Sequence, residues 1–232
     1  VTDDDLERLA SVETWIFDLD NTLYAARHNL FDQVEGRITD YVVELLDLPR
    51  DEARTVQKQY FRDHGTTLNG LVKLHDCKPE AFLAYVHDID YSPIPADPDL
   101  DRALHALPGR KLVFTNGDAP HAERAMERLG VAHHFDGVFD IVASDYIPKP
   151  EPVVYDVLVA EHDIDPRRAV FFEDIARNLK PAKNLGMITV WIEGESVYAR
   201  AGADDGHIDH RAEELTPWLI ALSRSLQGEL NR

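Results

Sequence analysis

Several apolar runs of this sequence end abruptly in side chains that can hold a cation or move a proton. TWIFDLD (14–20) closes on Asp18 and Asp20, with Asn21 and Thr22 next. KLVFTN (111–116) closes on Thr115 and Asn116, followed by Gly117 and Asp118, and RAVFFED (168–174) closes on Glu173 and Asp174. After a further run, GVFDIVAS (137–144), comes Ile147-Pro148-Lys149-Pro150. If these runs are buried strands sharing one end, several carboxylates, a hydroxyl, an amide and a lysine meet on a common rim. Carboxylates crowded at the end of apolar strands cannot all remain ionised unless a cation neutralises them. A hard divalent ion with oxygen ligands, most simply Mg²⁺, meets that need and can keep coordination places for water and a phosphate.

The elements that must position these groups are legible from periodicity. A fifth run, MITVWIE (187–193), completes a set of strand-like segments, and amphipathic helices lie between them. Ala122, Ala125, Met126 and Leu129 fall at i, i+3, i+4 and i+7, with Gly130 where a helix C-terminus favours a left-handed residue. Pro152 opens another helix whose expected face is Val153, Val154, Val157 and Leu158. Alternating strands and helices imply a doubly wound parallel α/β sheet with right-handed crossovers, which binds ligands at the carboxyl ends of its strands.

Residues 25–97 break that rhythm. Phe31, Val34, Ile38, Tyr41, Val42, Leu45 and Leu46 make one helical stripe that Pro49 should stop, and helical segments follow near 51–63, 67–75 and 79–87. The proline-rich segment 91–98 then returns the chain to the sheet. The expected organisation is a discontinuous α/β core, 1–24 and 98–232, with an inserted all-helical cap at 25–97.

The chain has 232 residues, with 24 Lys plus Arg against 43 Asp plus Glu and a net charge of −19. A protein of that sign without a basic block is a poor partner for nucleic acid. Cys77 is the only cysteine and cannot form an internal disulfide, so the cytoplasm is the expected compartment. No apolar run approaches the roughly 18 residues of a membrane span, and the acidic VTDDDLERLA is unlike a signal peptide.

The ordered set of motifs resembles the haloacid dehalogenase-like hydrolase superfamily. FDLDNT (17–22) looks like its first motif, FTNGD (114–118) its second, the lysine of IPKP its third and FFEDIARN (171–178) its fourth. The helical insert after the first motif is similar to a type 1 cap. FDLDNTLY, LFDQVEGRITDYV and HGTTLNGL are similar to the pyrimidine 5′-nucleotidase-like branch.

The resemblance implies a Mg²⁺-dependent phosphomonoester hydrolase. In it Asp18 would be the nucleophile that becomes an aspartyl phosphate, and Asp20 the acid and base. Thr115 would donate to a phosphoryl oxygen, Asn116 would bind the substrate phosphate beside it, and Lys149 would offset charge. Asp18, the carbonyl of Asp20 and Asp174 would hold the metal, with Glu173 a direct or water-mediated ligand. Thr22 and Asn178 would support this arrangement. Dehalogenases in the superfamily lack the second aspartate, so Asp20 favours phosphoryl transfer.

The implied substrate is a small phosphorylated metabolite such as a pyrimidine nucleotide, handled by a monomer or homodimer. Alternatives are a sugar-phosphate phosphatase or phosphomutase on the same core, and a non-catalytic phosphate-binding module. Thr66 and Thr67, with His64 and Asn69, form either a specificity loop facing the rim, in which the two threonines would bind the substrate or its phosphate, or an ordinary turn between helices. His133, His134, His207 and His210 read as fortuitous surface clusters, because no complete ligand pattern accompanies them.

Overall fold

The computed structural model describes residues 3–230. In chain order the elements are α1 (Asp3–Ala10), β1 (Thr14–Phe17), α2 (Leu30–Leu46), α3 (Arg50–His64), α4 (Thr67–His75), α5 (Pro79–Val86), α6 (Pro98–Ala106) and β2 (Arg110–Phe114). They continue with α7 (Ala119–Leu129), β3 (Gly137–Phe139), α8 (Pro152–Glu161), β4 (Ala169–Glu173), α9 (Leu179–Leu185), β5 (Ile188–Ile192), α10 (Val197–Arg200), β6 (His210–Ala212) and α11 (Leu215–Leu230). The six strands form one parallel sheet in the order β3-β2-β1-β4-β5-β6.

Strand alternation divides the core between the two faces. Trp15, Phe17 and Phe172 pack with residues of α1, α6, α7 and α11, and Phe17 stacks on Phe172 at 4.8 Å. Ile16, Phe114 and Phe171 point the other way, against α8 and α9. This is the doubly wound α/β architecture, and strand order reverses around β1, where such sheets bind ligands. Helices α2 to α5, between β1 and β2, have a separate cluster built on Val42, Leu71, Phe82, Leu83 and Val86, joined by Ile141 from the turn after β3. Leu30, Tyr91 and Ile94, near the two crossings between insert and sheet, pack in the sheet-side core instead.

Local chemistry explains α7. Asp118 caps it by accepting from the His121 N–H at 3.1 Å, Pro120 sits in its first turn, and Gly130 closes it at φ 80°. Elsewhere packing departs from the periodicity. In α8 the buried face is Val154, Tyr155 and Leu158, with Val153 and Val157 exposed. Tyr155 turns inward because its ring packs on Phe114 and its hydroxyl donates to the Asn178 carbonyl at 2.5 Å.

Helix α2 ends at Leu46 on a left-handed Asp47, and Pro49 precedes α3 rather than stopping α2. Leu45, expected in the stripe, is exposed. The third strand is shorter than GVFDIVAS suggests: it ends at Phe139 because Asp140 accepts from the N–H groups of Val142 and Ala143, turning the chain. The sixth strand has no apolar run to announce it. Asp209, accepting from the Thr189 N–H at 3.0 Å, anchors it beside β5.

Candidate active site

Three adjacent parallel strands end level with one another, since Phe17 is in register with Val113 on one side and Phe172 on the other. Asp18 and Thr115 are the first residues past β1 and β2. Glu173 is the last residue of β4, and Asp174 follows it. The Asp18 N–H still donates to the Phe172 carbonyl at 2.9 Å, which fixes where its side chain begins. The Asp174 carbonyl is held by the Trp191 indole at 2.7 Å.

Lys149 reaches this rim from the segment between β3 and α8. Its ammonium donates to Asp18 Oδ1 at 2.6 Å, Glu173 Oε2 at 2.7 Å and the Phe114 carbonyl at 2.8 Å, using all three of its donors. Asn116 fixes the lysine's backbone, accepting from its N–H at 2.8 Å and donating to its carbonyl at 3.4 Å. The Asn116 amide, expected to bind phosphate, is therefore engaged in positioning Lys149.

Carboxylate oxygens of Asp18, Glu173 and Asp174 lie within 4.8 Å of one another, and all three residues are buried. One ammonium serves three carboxyls. Burial first, then the neighbouring Glu173, pushes the Asp18 carboxyl up to about 8, with Lys149 opposing. Asp174 is raised well above its usual value for the same leading reasons. Burial pulls on Lys149 in the other direction, but Asp18 and Glu173 outweigh it and hold the ammonium protonated. Hard oxygen donors with unneutralised charge fit a divalent cation, whose presence would reverse these upward shifts.

Asp20 lies in a tight turn, Leu19–Leu23, where Asn21 adopts φ 62°. Its Oδ1 accepts from the Tyr24 hydroxyl and lies 2.9 Å from His121 Nε2. His121 is fully buried, contacts the Tyr91 hydroxyl through Nδ1 at 2.8 Å and stacks on His87 at 4.3 Å. His87 Nδ1 is 2.8 Å from Asp118 Oδ1. Burial alone would raise the Asp20 carboxyl; the His121 charge and hydrogen bond, then Tyr24, hold it below its usual value.

Thr115 is buried, and its Oγ1 accepts from the Gly117 N–H at 2.9 Å, which leaves its own proton for another acceptor. The buried Thr22 Oγ1 and Asn178 Oδ1 have no hydrogen-bond partner among the described residues. Thr67 is buried, and its hydroxyl donates to the Gln57 carbonyl at 3.1 Å. Thr66 caps α4 by accepting from the Asn69 N–H at 3.1 Å. The loop nonetheless sits against the lysine-bearing turn, since a Cβ on Gly65 would meet Pro148 at 3.1 Å.

His121, Tyr24, His87 and Tyr91 were not singled out from the sequence. A usable signal existed for His121, which lies in the first turn of a helix that starts at a strand's carboxyl end. Of the histidines read as surface clusters, His207 is buried, with Nε2 2.7 Å from the Ala176 carbonyl. His133 and His134 both reach Asp101 Oδ1, at 3.1 and 2.8 Å.

Carboxylates and a buried lysine gather where the order of a parallel sheet reverses, the place at which α/β sheets bind ligands. The chain belongs to the haloacid dehalogenase-like hydrolase family, whose model matches residues 12–186. It is 28% identical over 193 residues to phosphate metabolism protein 8 of Saccharomyces cerevisiae, covering 75% of this chain and 60% of that one. The chain thus spans about 60% of the length of that relative.

Among solved structures, a HAD phosphatase from Thermococcus onnurineus shares the fold with a TM-score of 0.61 at 21% identity, over 93% of this chain and 98% of that one. L-2-haloacid dehalogenase from Xanthobacter autotrophicus, with chloropropionic acid covalently bound, gives 0.54 at 17% identity over 94% and 99%. At these identities both show the fold alone. Among the described residues, no helix is long and apolar enough to cross a membrane.

Proposed function

We propose that the protein is a Mg²⁺-dependent phosphomonoester hydrolase working through an aspartyl-phosphate intermediate. The observation that carries this reading is the buried cluster in which Lys149 bridges Asp18 and Glu173, with Asp174 beside them. Asp18, Glu173, Asp174 and the Asp20 carbonyl would hold the metal. When bound, Mg²⁺ would offset the charge of the nucleophile and of the phosphoryl oxygens.

In the first step a carboxylate oxygen of Asp18 forms a bond to phosphorus as the bond to the leaving oxygen breaks, and Asp20 delivers a proton to that oxygen. In the second, Asp20 takes a proton from water, which attacks the aspartyl phosphate, releasing phosphate and restoring Asp18. The observed partners of Asp20 favour its ionised form, the form the second step uses. For the first step, His121 and Tyr24 are the hydrogen-bonded neighbours that share a proton with it. Thr115 donates to a phosphoryl oxygen, and Lys149 balances charge on Asp18.

The narrower reading is a pyrimidine 5′-nucleotidase-like enzyme, supported by the sequence resemblance of FDLDNTLY and HGTTLNGL. It would act on a small phosphorylated metabolite in the cytoplasm, as a monomer or homodimer. Phosphate release from a phosphomonoester panel, with Mg²⁺ or EDTA, tests the class. Turnover that stops in EDTA and in Asp18→Asn is the expected result; metal-independent turnover would defeat it. Preference for UMP and CMP over sugar phosphates would support the nucleotide reading, and an isomerised ester without free phosphate would replace hydrolase by mutase.

A further inference from the structure

The seam between the helical insert and the sheet holds three cations that, among the described residues, no carboxylate pairs with. Arg62 and Lys73 come from α3 and α4, Arg177 from the turn that follows Asp174, and all three line a cleft of about 610 Å³. That volume is in the range of roughly 300–1,000 Å³ typical of small-molecule sites. Asp63 and Glu151 also line the cleft, yet among the described residues neither forms an ion pair with the three cations. Arg62 and Lys73 are exposed, and among the described residues their side chains pair with no carboxylate. Such a grouping stands out in a chain of net charge −19.

Arg177 is the most informative of the three. Its guanidinium lies 4.1 Å above the Tyr198 ring and 5.9 Å from that of Phe61. Stacking occupies a face of the group and leaves its N–H donors, which lie in its plane, to other acceptors. Its Nε is buried and has no hydrogen-bond partner among the described residues. A buried donor left unmatched is costly, and Arg177 also lines the cleft, where its charge favours an anion.

We propose that this cleft is an anion-binding subsite in which Arg62 and Lys73 of the insert and Arg177 of the sheet side together receive a phosphate or carboxylate group. It rests on the hydrolase reading for its link to the reaction: Pro150 in its wall follows Lys149, and Arg177 lies three residues beyond Asp174. Under the proposal, a substrate would place one phosphate at Asp18 and a second anionic group here. Within the nucleotide reading, that ranks uridine 3′,5′-bisphosphate above UMP. The same chemistry in a separate anion would bridge insert and sheet.

Two measurements on the full chain test the proposal. The first is calorimetric titration of inorganic pyrophosphate in EDTA, which keeps divalent ions from carrying the anion to the Asp18–Glu173–Asp174 cluster. Wild type should bind, and the double variant Arg62→Met/Lys73→Met, whose sites are exposed, should bind on the order of tenfold more weakly, the scale of one charge-assisted hydrogen bond. Absent binding in wild type, or equal binding in both, would overturn the subsite.

The second measurement, with Mg²⁺, compares KM for uridine 3′,5′-bisphosphate and p-nitrophenyl phosphate. A rise in the variant that is about tenfold larger for the bisphosphate assigns the anion to the substrate. Equal KM changes alongside a positive titration assign it to a separate anion, which also supports the subsite. No turnover of p-nitrophenyl phosphate by wild type would instead reject the hydrolase reading, while the titration still decides the subsite.

Discussion

Asp18 and Asp20 stand two residues apart in one turn, yet their electrostatic surroundings are opposite. Around Asp18 anionic groups outnumber cations: Glu173 and Asp174 are close, and a single ammonium is shared among them. Around Asp20 donors outnumber acceptors, with Tyr24 and His121 on one oxygen and two further rings behind them. Burial drives both carboxyls up, and only the second surroundings reverse it. Carboxylates pushed apart in this way are suited to different tasks, one to work with a cation and the other to move protons.

The sharpest break between the two is chemical. Asp18→Asn should lower kcat on the order of 10⁴-fold for every leaving group, as loss of a covalent nucleophile does, and phosphate release would show it. Asp20→Asn should depend on the leaving group instead. It should cost roughly 10²–10⁴-fold with an alkyl phosphate and markedly less with p-nitrophenyl phosphate, whose leaving oxygen needs little protonation. Equal losses on both substrates would erase the distinction between the two residues.

A stability comparison comes next in size. Lys149→Met removes the one ammonium from the Asp18 side, so urea unfolding in EDTA should show a loss of about 3–5 kcal/mol, the cost of breaking a buried pair. Added Mg²⁺ should recover part of it. In the wild-type protein, Mg²⁺ at 100 times its dissociation constant should add about 2.7 kcal/mol. Thermal melts should then rise by several degrees, with no rise in Asp174→Asn.

The smallest effect is expected at the far side of Asp20. His121→Gln should cost about tenfold in kcat, in line with one hydrogen bond to a charged group, with the leaving-group signature of Asp20→Asn. A loss that is the same for alkyl and aryl phosphates would make His121 a packing residue only.

The sequence carried the Asp18 side more fully than the Asp20 side. Asp18, Glu173, Asp174 and Thr115 sit at the ends of apolar runs, so burial and position were both visible in the pattern. Lys149 was found by order along the chain, although nothing in IPKP says that its ammonium meets two carboxylates. His121 escaped because its partners are distributed over Asp20, Tyr91 and His87, far apart in sequence and joined only by folding. The threonines of the insert loop were left open between two readings for a related reason. A hydroxyl in a loop has the same composition whether it faces a ligand or caps a helix, and here Thr66 caps while Thr67 bonds to Gln57.

Composition and periodicity alone determined a doubly wound α/β core, an all-helical interruption after the first strand, and an acidic rim at the carboxyl ends of the strands. Those follow from local rules: apolar runs bury, stripes of 3.6-residue period form helices, and carboxylates end a strand where it meets polar surroundings. The tertiary structure alone decided which face of α8 is buried, that a short sixth strand joins the sheet, and how charge is distributed around each aspartate. Such outcomes depend on distances between residues remote in the chain, and the Coulomb and desolvation terms that separate Asp18 from Asp20 exist only once those distances are set.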